Sequence, residues 1–253
     1  MNLLAALIFF TRLPLWKWKT VSSECFKHVV PYWPMVGWVT GGTVALLLWG
    51  CSHIMPLSLA WLVALAGRLL LTGCLHEDGL ADFFDGFGGG TTRQRTLAIM
   101  KDSHIGTYGV IGLIVYFLLT SQWANLPLEL LCALAFCADC WSKCCASQLI
   151  NLLPYARNEE ESKAKVIYNR MNGGELFLNL SAGVVPMLLL LPPVYWLSSL
   201  GSLLVLRLLV RLMKQRLQGY TGDCCGATFL LCELAFYLTA FLLYFNRFSG
   251  VLL

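Results

Sequence analysis

Charged residues are scarce in this chain of 253 residues. Asp, Glu, Lys and Arg together make up 13% of it, whereas 58% is hydrophobic and the mean hydropathy is +0.68. So little charge excludes an ordinary soluble domain and predicts an integral membrane protein. We therefore expect the lipid bilayer as a partner and no nucleic acid. The sequence does not decide whether the chain forms a homo-oligomer.

A second pair of thiol or imidazole ligands is missing near Cys137 and Cys140, although these two have a spacing seen in zinc sites. A thiolate metal site is therefore not expected. Most of the eleven cysteines lie within apolar runs. We expect them to pack as small hydrophobic side chains rather than to form disulfides.

Long apolar runs are what the chain has in place of charge, and several approach the length that an α-helix needs to cross a membrane. The stretch from Leu3 to Phe10 is too short to cross and has no basic residue before it, so we predict an interfacial or re-entrant segment, not a signal peptide. The expected fold is all-α, a polytopic membrane helix bundle forming a single domain over residues 1–253. We predict seven transmembrane helices, at about 35–50, 58–75, 105–121, 129–151, 176–191, 196–213 and 227–245.

Charges inside these spans need partners, because an unpaired charge in hydrocarbon is costly. Arg68 is expected either to pair with a carboxylate or to reach toward a substrate. Asp139 and Lys143 are spaced i, i+4, which allows an ion pair on one helix. Glu233 is expected to serve as a hydrogen-bond partner between helices.

The cations follow alternate spans, and the intervening loops near 51–57, 122–128 and 192–195 have none. Under the positive-inside rule this pattern places the N-terminus in the cytoplasm and the C-terminus outside. The protein is expected in the cytoplasmic (inner) membrane, with motif loops at 76–104 and 214–227 and an active site facing the cytoplasm. The cations in question are Arg12, Lys17, Lys19, Lys27, Arg93, Arg95, Lys101, Arg157, Lys163, Lys165, Arg170, Lys214 and Arg216.

Four of the fourteen acidic residues fall within residues 76–86. On a helix, Asp78, Asp82 and Asp85 would lie within roughly 60° of one another on one face. Stacked carboxylates repel unless a cation lies between them, and Mg²⁺ takes oxygen ligands from carboxylates and substrate phosphates. We predict a magnesium site there, with Asp223 as a further ligand. The alternatives are a solvated acidic helix end for the first three and a helix cap for Asp223.

A glycine run and several cations follow the acids. Backbone N–H groups of Gly88, Gly89 and Gly90 could hold an anion. A helix that begins near residue 104 could do the same, or Ser103 could simply cap it. Carboxylates, glycines and cations together suggest phosphoryl transfer. The expected substrate-binding residues are Gly88, Gly89, Gly90, Arg93, Lys101, His104 and Thr221.

These motifs occur in an order that resembles the cobalamin synthase family, the adenosylcobinamide-GDP ribazoletransferases. The resemblance implies a Mg²⁺-dependent enzyme that joins adenosylcobinamide-GDP to α-ribazole or its 5′-phosphate and releases GMP. Asp78, Asp82 and His76 are then the expected catalytic residues, with His76 assisting removal of the hydroxyl proton. The motifs that carry the resemblance are Thr11-Arg12-Leu13-Pro14, Pro34-x-x-Gly37, His76 to Gly86, Ile99 to Gly106 and Gly222-Asp223.

Members of that family often have Arg where this chain has Lys101, His104 and Lys143, so bidentate recognition of an anion is in question at those positions. One alternative is a CDP-alcohol phosphotransferase, whose motif also begins Asp-Gly but requires an Arg that this stretch lacks. The other is a cation transporter, although such proteins place their acids near the bilayer midplane and often contain inverted repeats.

Overall fold

The structure, a computed structural model, describes residues 1–157 and 167–248. Helices dominate these residues, and the one β-bridge among them joins Tyr155 to Tyr220. Their bounds are α1 Asn2–Phe10, α2 Ser23–Phe26, α3 Trp33–Ser52, α4 Leu57–Thr72, α5 Leu75–Gly89, α6 Arg93–Lys101, α7 Thr107–Ser121, α8 Leu128–Ser147, α9 Leu149–Leu152, α10 Gly173–Leu190, α11 Ser198–Arg216 and α12 Gly222–Phe248.

The predicted polytopic helix bundle is confirmed. Six described helical segments are long and apolar enough to cross a membrane, and they coincide with six of the seven predicted spans. The remaining predicted span is α4, whose 16 residues reach about 24 Å, less than the hydrocarbon thickness. α4 and α5 pass the same test only as a pair bent by 89°. α1 is a nine-residue helix packed against α3, and its place relative to the bilayer stays a prediction.

The bend between α4 and α5 turns the acidic stretch across the end of the bundle. Two consecutive residues make the turn in left-handed conformations, Gly73 at φ 65° and Cys74 at φ 57°. Gly73 ends α4 as its C-cap, where glycine adopts a positive φ without a steric penalty. The motif segment at 76–104 is mostly helical, because α5 carries the three acids on one helix and α6 occupies residues 93–101. The loop expected at 214–227 is shorter than predicted, since α11 and α12 leave only residues 217–221 between them.

Small residues set how closely the central helices approach. Gly37 and Gly41 of α3 face α8, and a Cβ on Gly37 would lie 2.9 Å from the Cα of Cys140. Gly183 of α10 approaches α8 from another side, where its Cβ would lie 2.5 Å from the Cβ of Cys144. Helices in lipid associate through such close packing because the solvent supplies no hydrophobic force. All eleven cysteines are free, and seven of them are buried among the helices.

A network of buried charges ties α3, α4, α7, α8 and α12 together, with Arg68 of α4 3.8 Å from a carboxylate oxygen of Asp139 on α8. The Arg68 guanidinium is 2.5 Å from Oε1 of Glu233 and donates to the Tyr116 hydroxyl at 3.1 Å. Lys143 donates to Asp139 one turn away and to the Thr40 hydroxyl at 2.8 Å. These contacts confirm a carboxylate partner for Arg68 and the ion pair on α8.

Candidate active site

The acidic helix α5 packs against α12 through two glycines. A Cβ on Gly79 would lie 3.0 Å from the carbonyl oxygen of Asp223, and one on Gly226 would lie 3.2 Å from the carbonyl oxygen of His76. A larger residue at either position would separate the two backbones. This contact brings together the two acidic motifs, which lie far apart in the sequence.

Asp78 and Asp223 line one cavity between α5 and α12, which confirms the expectation that Asp223 lies near the first acidic cluster. The enclosed space is about 120 Å³, and with the solvent-open mouth it reaches about 770 Å³. Asp82 lies one turn after Asp78 on α5 and is 9% exposed, but it does not reach the cavity wall. The lining residues are Phe9, Phe10, Val30, Trp33, Leu75, His76, Asp78, Tyr155, Arg157, Tyr168, Gly222, Asp223, Cys225 and Gly226.

Arg157 supplies the cation of the cavity, and sequence reasoning did not single it out as a site residue. Its guanidinium donates to the carbonyl of Leu97 at 2.9 Å, and the residue is 7% exposed. A short parallel pairing holds the preceding segment in place: Ala156 N–H donates to the Tyr220 carbonyl at 2.8 Å, and Tyr220 N–H donates to the Pro154 carbonyl at 2.9 Å. In the sequence, the one signal for Arg157 was that it belongs to the cations predicted on the cytoplasmic side.

His76 lies in the cavity wall among aromatic rings. Its ring stacks on Trp33 at 5.6 Å between centroids and meets the edge of Phe229 at 4.8 Å. The residue is 2% exposed, and its Nε2 has no hydrogen-bond partner among the described residues. The imidazole is therefore held rigidly by packing, and its catalytic role stays a prediction.

Asp85 lies at a different site, so its predicted role as a metal ligand has to be corrected. One carboxylate oxygen accepts the N–H of Gly106 at 2.7 Å, and the other accepts the N–H of Gly109 at 2.8 Å. Asp85 therefore caps the start of α7, where unpaired N–H groups and the helix dipole favour a negative charge. The anion that this helix start binds is a side chain of the protein itself.

The glycine run does not form the expected anion cradle. Gly88 and Gly89 lie in the last turn of α5, and Gly90 donates its N–H to the carbonyl of Gly86 at 2.9 Å. These N–H groups already serve the helix. Gly88 instead makes room for the ring of Tyr108, which its Cβ would approach to 2.6 Å, so the role of the run is packing.

The guanidinium of Arg93 is partly occupied by backbone carbonyls. It donates to Leu217 at 2.8 Å and to Ala156 at 2.7 Å. These bonds link the start of α6 to the end of α11 and to the segment that precedes Arg157. Arg93 therefore supports the cavity wall and lines the shallow surface pocket beside Arg157. Its contact with substrate stays a prediction.

Lys101 and His104 lie outside the cavity. Lys101 is exposed at the end of α6 and borders a shallow surface pocket that Arg157 also lines. His104 is an exposed side chain whose Nδ1 is 2.7 Å from Asp102. That hydrogen bond lowers the pKa of the Asp102 carboxyl. Of the two, only Lys101 stays near a residue of the cavity.

Thr221 is fully buried and acts as the N-cap of α12, since its hydroxyl accepts the N–H of Cys224 at 3.3 Å. Because the Thr221 side chain is buried inside the protein, the prediction that it contacts substrate is wrong. Thr221 fixes the start of the helix that carries Asp223, and its hydroxyl lies 3.4 Å from an Asp223 carboxylate oxygen.

The carboxylates fit a magnesium ion only in part. The described residues contain no group of three or more His, Cys, Asp or Glu that could hold a metal ion, so the predicted set of four acids is not assembled. Mg²⁺ is commonly held by one or two carboxylates together with substrate phosphates. Asp78 and Asp223, which line the same cavity, suit that arrangement.

The cation-bearing segments meet at the end of the bundle where the cavity opens. Arg93 contacts Leu217 and Ala156, Arg216 donates to the carbonyl of Gly90, and Asn169 N–H donates to the carbonyl of Lys27 at 3.0 Å. Lys163 and Lys165 lie outside the described residues. The fold and the site thus define a multi-pass membrane protein with a carboxylate-lined, aromatic-walled cavity at one end of its bundle.

Comparison with known proteins assigns the chain within this class. The sequence model of the cobalamin-5-phosphate synthase family matches residues 2–241, and the chain belongs to that family. The curated relatives named adenosylcobinamide-GDP ribazoletransferase include one from Shewanella sp. (strain W3-18-1), 38% identical over 93% of this chain and 91% of its own. The protein from Leptothrix cholodnii is 38% identical over 92% of both chains, and that from Shewanella oneidensis is 35% identical over 92% of this chain and 90% of its own. No solved structure matches the chain.

The family assignment confirms the resemblance deduced from the motifs, and the chain is a transferase of cobalamin biosynthesis. Neither alternative class, the CDP-alcohol phosphotransferases or the cation transporters, is the family that it matches.

Proposed function

We propose that this chain transfers the adenosylcobinamide-phosphate group of adenosylcobinamide-GDP to the hydroxyl of α-ribazole or α-ribazole 5′-phosphate. The observation that carries this proposal is the single cavity shared by Asp78, Asp223 and Arg157 in a chain of this family. Carboxylates and a guanidinium in one partly dry space suit the binding of a diphosphate. In-line displacement at phosphorus depends mainly on such positioning and electrostatics.

In this reaction the acceptor hydroxyl attacks the phosphorus nearer the corrinoid. A new P–O bond forms to the acceptor, the bond from that phosphorus to the bridging oxygen breaks, and GMP leaves with the oxygen. The hydroxyl proton passes to a base, for which His76 in the cavity wall is the candidate. The products are GMP and adenosylcobalamin or its 5′-phosphate.

Mg²⁺, held by Asp78 and Asp223, would offset the charge that develops on the phosphate oxygens. Arg157 orients a phosphate through its planar guanidinium, whose position the Leu97 carbonyl fixes. Lys101 lies beside Arg157 and attracts the anionic donor toward the mouth. Asp82, buried one turn after Asp78 on α5, keeps the local field negative and favours the cation.

The enclosed part of the cavity, about 120 Å³, is too small for a corrinoid macrocycle. The macrocycle therefore stays at the mouth while the diphosphate and the acceptor enter. We place that mouth on the cytoplasmic side of the inner membrane. The support is the clustering of cationic segments at this end of the bundle, together with the positive-inside rule.

The experiment is a transfer assay with the purified protein in liposomes. With adenosylcobinamide-GDP, α-ribazole and Mg²⁺, GMP should appear in step with cobalamin, and a chelator should stop both. Asp78→Asn should lower the rate by roughly 100-fold or more, because an amide is a poor ligand for a hard cation and removes a charge from the site.

Glu129→Gln serves as the control, since Glu129 is an exposed carboxylate in the first turn of α8, at the opposite end of the bundle. It should leave the rate unchanged. Folded protein that releases no GMP with both substrates present would overturn the proposed reaction.

A further inference from the structure

One wall of the cavity is aromatic. Its base packs against the ring of His76, but the proposed reaction leaves its more exposed rings without a task. Phe10 and Trp33 form its base as parallel rings, 4.8 Å between centroids and 6° between planes. Phe9, Tyr155 and Tyr168 line the same cavity and are only partly buried, so they form the exposed front of the wall. The ring of Phe9 meets that of Tyr168 edge to face at 6.1 Å.

We propose that this aromatic wall is the subsite for the planar base of the acceptor nucleoside, and that Phe9 and Tyr168 are its specificity-determining residues. The proposal rests on the proposed function. The chemical class of ligand is an uncharged heteroaromatic ring joined to ribose, bound by ring stacking and apolar contact.

Chemistry favours a flat apolar ring at this wall. Aromatic side chains bind planar bases through offset or edge-to-face contacts, which need no matched set of hydrogen bonds. The wall comes from α1, α3 and two loop segments, whereas the acids come from α5 and α12. One ligand can therefore place its ring on the wall and a hydroxyl beside the acids.

The guanine of the donor is the other flat ring in the reaction, and its position is less suitable. Guanine is joined to the attacked phosphorus through a ribose and a second phosphate, whereas the acceptor base is joined to the attacking oxygen through one ribose alone. The ring that lies nearest the acids is therefore the acceptor's. Guanine also carries a polar edge that needs several hydrogen-bond partners, whereas the front of the wall consists of rings with two phenol hydroxyls.

The contribution of the wall to acceptor binding is measured by substitutions that replace an aromatic ring with a bulky aliphatic side chain. Phe9→Leu and Tyr168→Leu should each weaken binding of α-ribazole roughly 5- to 150-fold, the loss expected when a stacking partner is removed from a base. Tyr168→Phe keeps the ring and should bind as the natural protein does. Phe177→Leu is the matched control, because Phe177 is 75% exposed on α10, away from the cavity.

The readout is equilibrium dialysis of each folded variant in detergent with α-ribazole, and separately with GDP as the probe for guanine. Selective loss of α-ribazole binding in Phe9→Leu and Tyr168→Leu supports the subsite. Weaker GDP binding with α-ribazole binding retained would assign the wall to guanine and overturn the proposal. Unchanged binding of α-ribazole, or no binding by the natural protein, would also overturn it.

Steady-state turnover separates this proposal from the reaction itself. In the same variants the KM for α-ribazole should rise while the KM for adenosylcobinamide-GDP stays unchanged. GMP release by the natural protein tests the reaction alone, so a failure of the subsite would leave the proposed reaction standing.

Discussion

Gly79 and Gly226 hold the acidic helix against α12, and replacing either with alanine should lower activity without removing any functional group. A Cβ would lie 3.0 Å from the nearest Asp223 atom in the first case and 3.2 Å from the nearest His76 atom in the second. Ordinary contacts of a Cβ begin at 3.4 Å, so the helices must separate by about 0.4 Å at Gly79 and about 0.2 Å at Gly226.

The expected loss follows from that displacement, because it moves Asp78 relative to Asp223. A misplacement of 1 Å costs about 100-fold in rate, so on a logarithmic scale about 0.4 Å corresponds to roughly 6-fold and about 0.2 Å to roughly 2.5-fold. The neighbouring atoms are backbone, which cannot rotate away as a side chain can. Overpacking at such a contact also costs about 1–3 kcal/mol of stability.

The assay is GMP release in liposomes, together with thermal unfolding in detergent. Gly50→Ala is the control, since its Cβ would meet nothing within 4 Å and Gly50 lies in the last turns of α3. It should keep full activity and gain up to about 1 kcal/mol through helix propensity. A fully active Gly79→Ala, or an equal loss in Gly50→Ala, would refute the claim that this contact sets the acid geometry.

Two further predictions concern stability. Arg68→Met should lower the free energy of unfolding by about 3–5 kcal/mol, because it leaves Glu233 buried without its cation. Adding Glu233→Gln should restore part of the lost stability. An Arg68→Met variant as stable as the natural protein would contradict this reading of the network. At the bend, Gly73→Ala should cost about 1–2 kcal/mol since it forces a Cβ into a left-handed conformation, whereas Cys74→Gly should be neutral or stabilising. Chemical unfolding in detergent measures both, and an unaffected Gly73→Ala would show that the bend tolerates a side chain.

The sequence by itself determined the features that depend on local composition and spacing. Apolar runs long enough to cross a bilayer placed the helices within a few residues of their observed bounds, because such runs need no distant partner to become helical in lipid. The i, i+4 spacing of Asp139 and Lys143 predicted their ion pair, because both residues lie on one helix and need no distant partner. The two acidic motifs were recognisable as one site because the alternation of cations put both at the same end of the bundle.

Tertiary structure alone decided what the charged and glycine residues of that end do. Asp85 follows the spacing of a metal ligand, yet its partners are N–H groups 21 and 24 residues further on. Arg93 binds a carbonyl 124 residues away, and Arg216 binds the end of the glycine run from a distance of 126 residues. A side-chain pattern shows which groups can bind an anion or a cation, but not whether the folded chain already supplies that partner. Arg157 and the aromatic wall became visible only when residues from both halves of the chain met around one cavity.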